Sequence, residues 1–161
     1  MNVHLAAPEA FTPDKADRLW ERIRGLEQCF DDFSFGRGDM FAARLLQPDA
    51  LVFEVEDSAL VLVEHIIPRL GADIHFFSWK PMEFRAMVAA GQEVLEVAFG
   101  AFELQRVTAA LPEYNLRIAR LARELGFEQE GILRKAILYH QRYWDVHVFG
   151  LLREATWPNA K

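Results

Sequence analysis

Apolar residues in this chain change their spacing several times, and the order of those changes limits the folds open to it. Leu19, Trp20, Ile23 and Leu26 recur at helical spacing. Ahead of them Thr12, Pro13 and Asp14 supply an N-cap, a first-turn proline and a first-turn acid. Residues 40–46 predict a second short helix that stops before Pro48. The period then falls to two. Leu51, Phe53 and Val55 alternate with Val52, Glu54 and Glu56, Asp57-Ser58 makes a turn, and residues 60–67 are rich in β-branched and aliphatic side chains. This predicts a hairpin, and residues 74–79 after Gly71 predict a third strand. A long helix is expected from Pro81, with Phe84, Met87, Val88, Gly91, Leu95, Ala98 and Phe102 on its apolar face. Residues 104–111 read as a strand ended by Pro112, and residues 115–125 as a helix stopped by Gly126. Residues 132–138 and 143–152 read as a closing hairpin around His140-Gln141-Arg142. With a short strand at 2–6, the order is strand, helix, helix, three strands, helix, strand, helix, two strands. The expected class is α/β (α+β): a mixed twisted sheet of about six to seven strands flanked by about four helices.

The 161 residues suit a single domain, 1–161, which buries roughly 70% of its unfolded surface. No repeat, low-complexity tract or linker marks a boundary. A composition 52% hydrophobic and 26% charged, with 13 Phe and 4 Trp, supplies bulky core material. The net charge of -6 gives no general attraction to nucleic acid or to an anionic membrane, so neither is an expected partner. No segment reaches the roughly 20 apolar residues of a membrane span; even 59–70 is broken by Glu64, His65 and Arg69. Residues 1–8 lack the basic and apolar regions of a secretory signal. The single Cys29 excludes an intrachain disulfide and reads as a small core residue. A soluble, cytoplasmic protein is expected. His65, His140 and His147 share no ligand spacing, so no metal site is expected.

Several anchors narrow the fold further. Ala98-Phe99, Gln105-Arg106-Val107, Pro112-Glu113-Tyr114-Asn115, Glu124-Leu125-Gly126-Phe127, Glu130-Gly131, Leu133-Arg134, Asp145 and Leu151-Leu152-Arg153 follow one another without a gap. In this register the chain resembles the GNAT superfamily of N-acetyltransferases, closest to its ribosomal-protein-alanine N-acetyltransferase-like branch. The resemblance implies a GNAT-like acyl-CoA N-acyltransferase fold, in which the strands before and after the long helix splay and acetyl-CoA enters between them. It also implies a pyrophosphate loop of pattern Gln/Arg-x-x-Gly-x-Gly/Ala at the start of that helix. Glycines there let main-chain N–H groups approach the phosphates.

That loop falls at residues 80–86, Lys-Pro-Met-Glu-Phe-Arg-Ala, with Glu83 and Arg85 near the glycine positions. Glu83 favours the helix start and repels a pyrophosphate, while Lys80 and Arg85 are the candidate phosphate contacts. Asn115 matches the family's asparagine near the pantetheine arm and is also a natural N-cap. His75 on the strand bordering the gap and Tyr114 beside Asn115 are the candidate catalytic residues, for the amine proton and the leaving thiolate. The plainer reading of His75, beside Phe76 and Phe77, is a packed or edge histidine, and that of Glu54, Glu56 and Glu64 the solvated faces of a hairpin. The family's serine is Ile118 here. Arg117, Arg120 and Arg123 read as a solvated helix face. Two functions follow. One is acetyl transfer from acetyl-CoA to an amine of a small molecule, peptide or protein, with weakened cofactor binding. The other is a non-catalytic GNAT-like binding or structural protein, such as a phage-encoded or virion-associated component. Trp144 and Trp157 with the C-terminal strands are the candidate surface for a homodimer or assembly contact.

Overall fold

The computed structural model describes residues 3–6, 11–26 and 29–156. Residues 1–2 and 7–8 of the N-terminal segment, and Trp157, named above, lie outside them. In chain order the elements are β1 (Val3–Ala6), α1 (Pro13–Ile23), α2 (Gly38–Leu45), β2 (Leu51–Val55), β3 (Ala59–Ile67), β4 (Gly71–Ser78), α3 (Phe84–Phe102), β5 (Arg106–Pro112), α4 (Leu116–Glu124), β6 (Glu128–Tyr139), β7 (Arg142–Leu152) and a single turn, α5 (Arg153–Thr156). The strands form one seven-stranded sheet in the order β1-β2-β3-β4-β5-β7-β6. Each neighbouring pair is antiparallel except β4 with β5, which is parallel. The mixed α/β architecture expected from the periodicities is the one observed.

Both faces of the sheet centre are covered. Phe53, Val61 and Val63 join Ala90, Val94, Leu95 and Phe99 of α3 in one core. Val52, Leu60, Leu62 and Phe77 join Leu19 and Ile23 of α1 and Phe41 and Leu45 of α2 in a second. Strand β3 therefore loses its polar alternation: everything from Ala59 to Glu64 is buried.

Several boundaries depart from expectation. Helix α3 begins at Phe84, so Pro81 precedes the helix. Tertiary bonds hold residues 79–80 out of it: Trp79 and Lys80 N–H both donate to the Ser58 carbonyl, at 3.0 and 3.3 Å, and Ser78 Oγ donates to the Lys80 carbonyl at 2.7 Å. Strand β6 starts at Glu128, earlier than the apolar pattern suggested, because it is an edge strand exposed over most of its length. Arg153–Thr156 adds a turn of helix that no periodicity announced.

Gly126 stands where the sequence placed a helix stop, with φ +90° just past α4. A side chain in that left-handed region is disfavoured. Gly126→Ala is expected to cost about 1 kcal/mol in urea unfolding, with the folded-state spectrum unchanged.

Candidate functional site

Strands β4 and β5 pair only at Gly71–Arg106, Ala72–Val107 and Asp73–Thr108. Beyond Asp73 they separate, while each stays paired on its outer side: β4 with β3, and β5 with β7 through Pro112. Two cavities occupy the resulting wedge. One, of about 290 Å³, runs between His75 of β4, Leu111 of β5, Tyr114 and Arg44 of α2. The other, of about 390 Å³, lies towards Ser78, Lys80, Pro81, Met87 and Arg117. Cys29, Phe76, Asn115 and Ile118 line both, so the wedge forms a path from the α1/α2 side to the α3/α4 side. Small-molecule sites occupy about 300–1,000 Å³.

The alternation of β4 assigns its side chains to two sides. Ile74 and Phe76 pack with the α3 core, and Phe77 with the α1/α2 core. His75 shares the Phe77 side, its ring stacked 6.5 Å from that of Phe77. There Nε2 of His75 lies 2.9 Å from Glu64 Oε1. The same carboxylate receives both arms of the Arg44 guanidinium, Nε at 3.1 Å and Nη2 on the other oxygen. Glu64 is 3% exposed, so the expected solvated glutamate is instead a buried ion. A register shift between Glu64 and Ile67, with His65 at φ +52°, accompanies this placement. Burial alone would raise the Glu64 carboxyl, but hydrogen bonds and charge from His75 and Arg44 outweigh it and hold the group at about 2. Of the other two glutamates, Glu54 is half-buried and paired with Lys15 at 2.6 Å, and Glu56 is exposed.

Tyr114 stands across the first cavity, stacked on Tyr139 at 4.5 Å and edge-on to Trp144 at 5.3 Å. Burial, reinforced by neighbouring acidic groups, pushes its phenol up to about 12. It is a proton donor at neutral pH. Asn115 is the N-cap of α4, its side-chain oxygen accepting from the Ile118 N–H at 3.4 Å, and it also lines both cavities. Both roles left open for it are thus sterically compatible, because the amide NH₂ is not part of the cap. Burial pushes the Cys29 thiol up to about 11, which suits a packed thiol rather than a nucleophile.

At the other end, Lys80 lines the second cavity while its ammonium pairs with Asp57. Arg85 is exposed on the first turn of α3 and lines neither cavity. Glu83 is the N-cap residue of α3, yet its side chain caps no N–H. The α4 arginines are more than a solvated face. Arg117 Nη2 donates to the Met82 carbonyl at 2.5 Å, Arg120 lies 4.3 Å from the Phe84 ring centroid, and Arg123 5.2 Å from that of Phe149. Arg117 and Arg44 are the site residues that sequence reasoning missed. A signal for the second existed: a charge at Glu64 inside an aliphatic run requires a buried partner.

The first cavity is roofed by the segment between α1 and α2. Asp31 forms a local turn, its Oδ1 accepting from Ser34 N–H at 2.7 Å and Ser34 Oγ at 2.6 Å. Asp32 reaches the β6–β7 hairpin, where its two carboxylate oxygens accept from the His140 and Gln141 N–H groups at 2.9 and 2.8 Å. Among the described residues no helix is long and apolar enough to cross a membrane, and no group of three His, Cys, Asp or Glu side chains could hold a metal.

A seven-stranded sheet opened between β4 and β5, with helices on both faces, has the fold of the GNAT acetyltransferases. Ribosomal-protein-S5-alanine acetyltransferase from Vibrio fischeri superposes with a TM-score of 0.73 at 20% identity, over 94% of this chain and 92% of that one. RimJ from Mycobacterium smegmatis, in complex with CoA-disulfide, superposes with a TM-score of 0.69 at 18% identity, over 89% and 80%. At these identities the likeness establishes the fold. In sequence, an uncharacterized N-acetyltransferase, YnaD of Bacillus subtilis, is 29% identical over 65 residues. That stretch is 40% of this chain and 38% of the relative's length. No protein-family model matches the sequence.

Proposed function

We propose that this chain takes an acyl-CoA, acetyl-CoA first among them, into the β4–β5 wedge and transfers its acyl group to an amine. The observation that carries this is the through-going wedge with His75 on one side and Tyr114 and Asn115 on the other. When bound, acyl-CoA would supply an activated thioester and a thiolate leaving group. His75 stands on the α1/α2 side, where an acceptor amine would enter and needs a proton acceptor. Tyr114, held protonated, can give a proton to the departing sulfur. Phe76, Met87 and Ile118 present an apolar wall to the pantetheine arm.

The residues fit the diphosphate less well than the arm. The α3 N-terminus has no side-chain cap and keeps its partial positive charge, and Lys80 and Arg117 border the cavity before it. Both cations are already engaged by Asp57 and the Met82 carbonyl, and Glu83 adds a negative charge at the mouth. The cofactor is therefore held weakly, by long side chains in place of a glycine-lined loop. Arg85 can reach phosphate only from outside the cavity.

Titration of acetyl-CoA and CoA by calorimetry and thermal shift tests this. A Kd near 100 μM would give about 1.4 kcal/mol of stabilisation at 1 mM ligand. Glu83→Gly is expected to tighten binding about tenfold at low ionic strength, with the gain shrinking as salt is added. No stabilisation at millimolar cofactor, by the protein or by Glu83→Gly, overturns the acyltransferase reading. It would favour the second reading, a GNAT-fold binding or structural component of the phage-encoded or virion-associated kind. The engaged state of Lys80 and Arg117 is the observation on that side. The proposed acceptor is an amine of a small molecule, peptide or protein, and a dimer or larger assembly would show in light scattering.

A further inference from the structure

We propose that Arg44, Glu64 and His75 act as one unit, in which Glu64 fixes His75 with its proton on Nε2 and leaves Nδ1 as the proton acceptor for the incoming amine. Arg44 holds the carboxylate in place for that contact. The inference rests on the acyltransferase reading for its chemistry and on the geometry alone for the ring state.

Three elements build the unit: α2 supplies Arg44, the irregular end of β3 supplies Glu64, and β4 supplies His75 where the wedge opens. A buried carboxylate that already accepts two guanidinium N–H bonds is ionised and can only accept from the imidazole. The Nε2 atom, 2.9 Å away, must therefore carry the hydrogen. In a neutral ring Nδ1 then holds a lone pair and has no partner among the described residues. His75 lines the first cavity and its side chain is 29% exposed, enough for a substrate to reach. The carboxylate stabilises the imidazolium that forms when the ring takes a proton. Arg44 shares the carboxylate and fixes its orientation towards the ring. Asp31 and Cys29 from the α1–α2 segment and Tyr114 from the far wall line the same cavity, and Asp73 on β4 is paired with His65 at 3.0 Å.

The transfer balances through these groups. The amine nitrogen bonds to the acyl carbon as the carbon–sulfur bond breaks, one amine proton passes to His75 Nδ1, and the thiolate takes a proton from the Tyr114 hydroxyl. Solvent then removes the proton from His75 and returns one to Tyr114. Glu64 and Arg44 are positioning residues, and His75 is the catalytic one.

Nitrogen-15 spectra of the histidine rings test the unit without cofactor. The expected result is a His75 ring with its proton on Nε2, a tautomer preference that is lost in Glu64→Gln. With acetyl-CoA and an amine, Glu64→Gln and His75→Gln should each lower kcat about 100-fold. Arg44→Met should weaken the Nε2 tautomer preference and lower kcat, with KM for acetyl-CoA unchanged. If Arg44→Met does not fold, the wild-type tautomer and Glu64→Gln still decide. A proton on Nδ1, or a tautomer indifferent to Glu64→Gln, overturns the inference. Transfer by the wild type that survives His75→Gln within about twofold overturns it alone. Absence of transfer in a wild type with the expected ring behaviour overturns the acyltransferase reading and, with it, the role as base.

Discussion

Acidification is expected to remove a stabilisation on the order of 3 kcal/mol that Glu64 supplies at neutral pH. The carboxyl stands at about 2 in the folded chain against 4.5 as an ordinary glutamate, and each unit of displacement corresponds to about 1.4 kcal/mol. The sign follows from the direction. A depressed group contributes fully above its unfolded value, and the contribution is lost as pH falls from about 5 towards 2. The residue is 3% exposed, so little of this is screened by solvent. Unfolding free energies of the wild type and Glu64→Gln, measured in urea from pH 7 to pH 2, isolate the term. The gap between the two proteins should close by about 3 kcal/mol over that range, and a constant gap would contradict the ionised state of Glu64.

Phe149→Ala is expected to cost about 4 kcal/mol. The ring is fully buried in the core shared with α3, and β7 is paired with β5 on one side and β6 on the other. The guanidinium of Arg123 lies 5.2 Å from the ring centroid, so truncation also removes that contact. For a chain of this length the loss corresponds to a melting temperature lower by about 10 °C, readable by calorimetry. Because β7 holds β5 at seven positions from Arg106 to Pro112, the same variant is expected to weaken any ligand of the wedge.

Much of this architecture was readable in the sequence. The switch from helical to alternating spacing at Leu51 located the central hairpin, and Gly126 marked the end of α4 where φ is indeed positive. Legibility failed where tertiary contacts decide. Pro81 has the local preferences of a helix start, but the Ser58 carbonyl holds the two residues before it. Strand β6 exposes most of its side chains, so nothing imposed a period on residues 128–131. Among the site residues, His75, Tyr114 and Asn115 were found on the wedge because they border strands whose order was clear. Lys80 was found at its mouth, and Arg85 outside it. Arg117 was not recognisable, since its partner lies 35 residues away, and the charge at Glu64 called for a buried partner without saying that Arg44, 20 residues away, would supply it.

The grip of Asp32 on the β6–β7 hairpin has a mechanical consequence. His140 and Gln141 both have positive φ, a turn whose two N–H groups would face water in a lone hairpin. Here one carboxylate, 108 residues upstream of the first, takes both. The segment that roofs the first cavity is thereby tied to the β6–β7 hairpin at the far edge of the sheet. Pulling that segment away from the hairpin means breaking two charge-assisted bonds that share one carboxylate, so the two give way together rather than one after the other.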